Sequence, residues 1–487
     1  MNRKSIKVNY VLNMAYQILV LIVPLITTPY ISRVLGAEGI GIYSYTYSII
    51  SYFLLCAVMG TSTYAQRTIA YYQDDIDTRS IKFFDILSFR IISTMICCIV
   101  YVLYLMSPVC KYGEVATIQL IYLIAVAFDI SWLFQGMEDF KRIVLRNTIA
   151  KIFNIILIFV FVCQKDDFVV YTLILAGMTF VANISIWPYL LKYIKKVPLS
   201  KIHPFSDIKT MFSLFIPTIA IQMYAVLDKT MIGYYAINAT ENGYYEQTEK
   251  VVRMALAIVT SLGTVMIPRI AKLYHDNDQE QIKRYLTKSY QFVWFLGIPI
   301  MCGLIGVSNL FVPVFYGEGF DKIKILLPIY SCLVIAVSLS NVTGCQYLIP
   351  TKRQHIYTIA VVSSAIFNLL LNFIMIPRYL SIGAAIASVS AEFMGALIML
   401  IYVQCKKQIE LREVLILSSK NWVAGLLMLI VVRILSLNLM ESVVSLCVVI
   451  GIGALVYLGV LVVLKDSFFM DNAKNVITKV LRKKKLY

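Results

Sequence analysis

Runs of about twenty apolar residues recur along almost the whole chain, and that recurrence leaves little choice of fold. In hydrocarbon a backbone N–H or C=O finds no partner outside its own segment, so stretches of this length and polarity cross a membrane as helices. Such runs lie near 10–33, 40–63, 84–107, 115–136, 146–163 and 168–191, and again near 211–235, 245–268, 289–315, 325–348, 356–376, 381–404, 421–438 and 443–464. About fourteen spans with short connections use nearly all 487 residues, leaving no stretch for a soluble catalytic domain. A chain that is 60% hydrophobic and only 15% charged agrees. The expected class is an all-α polytopic membrane protein and not an enzyme.

Charge sets the orientation, because Lys and Arg resist translocation and collect on the cytoplasmic side. With the N-terminus inside, 32 of the 44 Lys and Arg fall in inner segments, six in outer loops and six within helices. Both termini are therefore expected in the cytoplasm, and the net charge of +17 follows from retention rather than from nucleic-acid binding, since the charges are dispersed over many loops. Lys483, Lys484 and Lys485, after an amphipathic stretch from Phe468 to Leu481, suit an anionic inner leaflet. The ten cysteines form no CxxC pair and read as packing residues, and His203, His275 and His355 lack metal-ligand spacing, so no metal or cofactor is expected.

The two halves repeat. At an offset of 202 residues Ala37 matches Ala239, Gly41 matches Gly243, Tyr43 matches Tyr245, Thr46 matches Thr248 and Arg67 matches Arg269; at 214, Phe153 and Asn154 match Phe367 and Asn368. Six spans per copy is even, so both copies share one orientation and a pseudo-two-fold axis along the membrane normal. This divides the chain into an N-lobe at 1–200, a C-lobe at 201–405 and, at 406–487, a helix pair with a basic tail. Substrate in such duplicated transporters sits in the cleft on the axis, where polar residues should collect.

A charge inside a span needs a partner or a water-filled cavity. Arg90 and Asp129 lie at matched depth on neighbouring spans and read as an ion pair, with ion coupling through Asp129 as the alternative; Na+ or H+ is unassigned. Asp228 and Lys229 on span seven, with Glu246, Glu249, Lys250 and Arg253 descending span eight, form a charged stripe that cannot face lipid. Lys229, Arg253 and Glu249 are candidate cavity residues, the alternative being simple pairing of Arg253 and Lys229 with Asp228 and Glu249. Arg33 at an outer helix end joins them. Arg67 and Arg269 at inner ends are explained by the charge bias, though their symmetric placement suggests cargo contact. Glu392 has no partner on its own helix, and Arg433 is placed either to snorkel or to pair across the bundle. Tyr43, Tyr45, Tyr47 and Tyr52 read first as an interfacial aromatic belt, second as a sugar-stacking surface. Pro24, Pro29, Pro217 and Pro299 permit bending.

The run Thr28-Pro29-Tyr30-Ile31-Ser32-Arg33-Val34-Leu35-Gly36-Ala37-Glu38-Gly39-Ile40-Gly41 resembles the N-terminal signature of Wzx-type flippases for O-antigen, capsule and related polysaccharide repeat units. Trp132 to Glu138, Asp228 to Gly233 and Asn368 to Ala385 are similar to later signatures, so the resemblance spans nearly the whole chain; Leu380 departs from it, standing where the family often has Gly. The resemblance implies the multidrug/oligosaccharidyl-lipid/polysaccharide exporter fold with a cationic cavity. It implies as cargo an undecaprenyl-diphosphate-linked oligosaccharide carried from the inner to the outer leaflet of a bacterial cytoplasmic membrane by alternating access. Membrane lipids, a polysaccharide polymerase and glycosyltransferases of the same pathway are the implied partners. Teichoic acid or peptidoglycan precursors, and drugs moved by an exporter of the same fold, are the alternative cargoes.

Overall fold

The computed structural model describes residues 3–406, 411–472 and 474, with backbone alone at residues 3–15, 18, 216–218, 220, 221, 223–225, 264, 265 and 411. Pro217 and the basic tail at 483–485 lie outside the described side chains. The described residues are helical with no strand, and eleven helices among them are long and apolar enough to cross a membrane. The first of these, Leu19–Tyr71, holds two of the predicted spans. The chain packs as two compact units, Met1–Glu246 and Gln247–Tyr487.

In the first unit the elements are α1 (Arg3–Val58), α2 (Thr61–Tyr71), α3 (Ile76–Leu105), α4 (Gly113–Ala127), α5 (Ser131–Gly136), α6 (Phe140–Phe161), α7 (Phe168–Ser185), α8 (Ile208–Tyr235) and the first turns of α9 (Thr240–Thr260). α1 is two helices joined at a kink, and the residue with non-helical backbone is Gly36, at φ 67° and ψ −178°, rather than Pro24 or Pro29. At one end of the unit four connections meet. Tyr30 donates to the Val162 carbonyl at 2.8 Å, and Lys111 caps the C-terminus of α8 through the Gly233 and Tyr234 carbonyls at 3.0 and 3.2 Å. There α1 crosses the α8–α9 turn so closely that a methyl added at Gly41 would strike the Ala239 backbone and one at Gly243 the Ala37 carbonyl.

That crossing is reciprocal. Ala37 and Gly41 are the 202-residue counterparts of Ala239 and Gly243, and each alanine packs on the other copy's glycine, the pattern of an isologous contact. Ser44 donates at 2.9 Å to Glu246, its own counterpart, so this pair lies on the local two-fold.

The opposite end is basic and tied down by polar contacts. Arg79, only 5% exposed, donates to the Tyr193 carbonyl at 2.7 and 3.0 Å, and His203 N–H donates to Asp85 at 2.6 Å. Lys82 meets Asp207 at 2.6 Å; against partial burial, hydrogen bonds from Lys82, Tyr64 and Ser206 hold the Asp207 carboxyl below its ordinary value. Beneath them Trp132, Phe134, Phe83, Ile86 and Ile69 form a closed core.

The second unit carries the rest of α9, α10 (Gly263–His275), α11 (Gln279–Tyr316), α12 (Ile323–Ser331), α13 (Leu333–Ser340), a π-helical segment (Asn341–Leu348), α14 (Gln354–Tyr379), α15 (Ser381–Cys405), α16 (Leu411–Asn438) and α17 (Val443–Val463). The 38-residue α11 is its spine, with α16 against it: Arg433 donates to Ser308 at 3.2 Å and Ser436 to the Gly306 carbonyl at 2.9 Å. Arg433 thus reaches across the bundle rather than snorkelling. Span eight was expected to be continuous over 245–268, but the helix breaks between Thr260 and Gly263. Between α14 and α15 the chain turns at Leu380 with φ 49° and ψ −123°, a region that suits Gly, which the resembled family often has there.

Candidate functional site

The polar residues of α8 and α9 fold against the second half of α1 in the first unit. Lys229 donates to Glu246 at 2.6 Å, with both side chains under 20% exposed. Asp228 accepts from the Tyr245 hydroxyl at 2.5 Å, both buried, and Asn242 donates to the Lys229 carbonyl at 2.7 Å. Two turns along α1, Ser48 and Tyr52 meet Thr230 at 2.9 and 3.0 Å. Lys229, proposed from sequence for a cavity, is thus held by a carboxylate at the closed crossing, and Asp228 is held by a tyrosine.

The tyrosine row does not form a lipid-facing belt. Tyr43 exchanges a hydrogen bond with Tyr122 at 3.0 Å and stands edge-on to Tyr171, while Tyr45, 4% exposed, packs on Gly233. Buried hydroxyls need partners, and Tyr43 and Tyr52 find theirs in the interior of the unit. Tyr47, 38% exposed, is the member that opens outward.

Along α9 in the second unit, Arg253 and Glu249 pair at 2.5 Å, but asymmetrically: Glu249 is 7% exposed and Arg253 62%. The carboxylate anchors the guanidinium and leaves much of it accessible. Arg269 on α10 lies 4.6 Å from the Tyr285 ring centre, and Arg67 on α2 is exposed in the first unit, as is Arg33, which donates to the Pro29 carbonyl at 3.0 Å. Glu392 on α15 is half-buried and faces Tyr357 of α14. Deeper in the second unit, Asn372 donates to Asn368 at 2.9 Å and Asn368 lies 3.4 Å from Ser388, a fully buried amide chain.

Arg90 is 1% exposed, yet its shortest bond runs to the Asp129 backbone carbonyl at 2.9 Å; the carboxylate is 3.9 Å away and instead accepts from the Ser131 N–H and hydroxyl, opening α5. The matched depth was legible in the sequence, the break at Phe128–Ile130 was not. The helix expected over 146–163 begins earlier, at Phe140, which places Arg142 inside a spanning helix with Arg146 and Lys151. The missed signal was the unbroken helical run around isolated charges.

Among the described residues no group of His, Cys, Asp and Glu could hold a metal ion. The described residues form a multi-span helical membrane protein with charged groups inside its spans. The chain matches the family described as polysaccharide biosynthesis protein over residues 6–274, and it belongs to that family. A provisionally named O-antigen transporter of Escherichia coli (strain K12) is 25% identical over 391 residues, 79% of this chain and 94% of that one. In fold, the chain is similar to the lipid II flippase MurJ in an inward closed conformation, with a TM-score of 0.74 at 18% identity over 94% of this chain and 99% of that one. It is also similar to an inward-facing multidrug resistance MATE transporter of the MOP superfamily, with a TM-score of 0.61 at 12% identity over 82% and 99%.

Proposed function

We propose that this protein is a repeat-unit flippase that moves an undecaprenyl-diphosphate-linked oligosaccharide from the inner to the outer leaflet by alternating access, with both termini in the cytoplasm. The observation that carries the reading is Arg253. A guanidinium 62% exposed on a predicted span, pinned by a buried Glu249, cannot face lipid and is suited to an aqueous cavity. A diphosphate is its natural partner, because the planar fork matches two phosphate oxygens at once. The reciprocal crossing of α1 with α8 and α9 supports a gate: glycine-to-alanine contacts hold through close approach alone, and the few hydrogen bonds beside them can be exchanged for water. The excess of Lys and Arg at the opposite end supports a cytoplasmic placement of that end.

In a flippase-deficient strain, Arg253→Glu should abolish export of lipid-linked oligosaccharide at near-normal membrane abundance, and Arg253→Lys should retain part of it. Normal export by Arg253→Glu would remove the residue from the site. Loss of export through loss of protein would make its role structural.

A further inference from the structure

The α6 span carries polar groups that the fold does not require. Counting 1.5 Å per residue from Phe140, Arg146 lies about 9 Å along the helix, Lys151 about 16 Å and Asn154 about 21 Å. The span is 22 residues long, so these groups occupy its middle third and reach about two thirds of the way along it. Asn147, Lys151 and Asn154 follow at i, i+4 and i+7 on one face, with Arg146 beside them. Arg146 donates to Asn147 at 2.9 and 3.0 Å, but its Nη1 is buried with no hydrogen-bond partner, and so is the Asn154 Oδ1. The Lys151 ammonium makes no ion pair among the described residues; it stands 5.9 Å from the ring centre of Tyr16 on α1, whose hydroxyl is within hydrogen-bonding reach of Asn147. Asp129 faces Arg146 without closing a salt bridge.

The duplicate copy separates structure from function here. At the 214-residue offset Asn154 corresponds to Asn368, whose amide chain with Asn372 and Ser388 stays within the second unit's core. Arg146, Asn147 and Lys151 correspond to Ala360, Val361 and Ala365. The same helix is built in the second half with no charge at these three positions, so packing alone does not explain the charges in the first. Charged groups within a span with an unpartnered buried donor mark a ligand path.

We propose that Arg146, Lys151 and Asn154 form a polar track on α6 that binds the phosphate groups of the isoprenoid-linked cargo, Lys151 as the charge near mid-span and Arg146 as the charge nearer the end where α6 begins. This rests on the cargo reading above. Lys151 supplies a point charge and Arg146 a directed donor, while an amide at Asn154 suits a hydroxyl or protonated phosphate oxygen.

The test uses the full-length protein in nanodiscs and three probes: geranylgeranyl diphosphate, geranylgeranyl monophosphate and geranylgeraniol. The wild type should bind the diphosphate most tightly. Lys151→Gln should weaken diphosphate binding about tenfold or more, the loss expected for one charge-assisted contact, with the alcohol unaffected, and Lys151→Arg should stay within about threefold of wild type. Diphosphate binding unmoved by Lys151→Gln overturns the inference and leaves the cargo reading standing. A wild type that binds none of the three overturns the cargo reading and the inference with it. Loss of the folded Lys151→Gln protein while Lys151→Arg folds and binds no diphosphate also counts against the track.

Discussion

Leu380 shows what one residue can store. A β-carbon at φ 49°, ψ −123° sits in a region populated almost only by glycine, and such strain costs of order 1–3 kcal/mol. Its amide is nevertheless bonded to the Ile376 carbonyl at 2.8 Å, so the tight turn between α14 and α15 is enforced by its surroundings. Leu380→Gly should relieve the strain, offset in part by the greater freedom of glycine in the unfolded chain, and raise stability by about 1 kcal/mol. Thermal unfolding in detergent should show a rise of about 1–3 °C. A fall would mean that the leucine side chain contributes more by packing than the backbone costs. The sequence pattern marked this position as a departure, but the sign of φ came only from the structure. The same limit applied at Arg90: residue types and depth predicted an encounter with Asp129, yet the choice of carbonyl over carboxylate depends on a helix break that periodicity does not report.

At the scale of elements, apolar run length predicted where the spans lie because backbone satisfaction in hydrocarbon overrides most local preferences. It failed where charges enter a helix. Arg142 read as loop because the span was placed from about 146, and α6 in fact begins at Phe140. The repeat was legible as spaced identities, and its contact with itself at Gly41, Ala239, Ala37 and Gly243 was not. A gate made from this crossing must separate during transport. Ser48 and Thr230 have their hydroxyls 2.9 Å apart, so cysteines at both positions should reach disulfide geometry. On a background without the ten native cysteines, oxidised Ser48→Cys/Thr230→Cys protein should lose most transport and regain it on reduction. Full transport with the disulfide formed would show that α1 and α8 do not part.

The family match, the relatives and the solved structures agree on a transporter fold, and the asymmetry of Lys and Arg supports its direction in the membrane. Composition could announce a membrane protein because 60% hydrophobic residues admit few other solvents, but it could not distinguish an anionic from a cationic cargo, since acids and bases are mixed along α8 and α9. That distinction rests on which charges stay accessible: Arg253 does, and its partner Glu249 does not. Purified protein in liposomes, given a fluorescent isoprenoid-diphosphate oligosaccharide in one leaflet, tests it most directly. Leaflet exchange should proceed at least about tenfold faster than in protein-free liposomes and stop with the oxidised Ser48→Cys/Thr230→Cys variant. Exchange no faster than the protein-free rate, from a preparation that still carries a lipophilic cationic dye, would contradict the account.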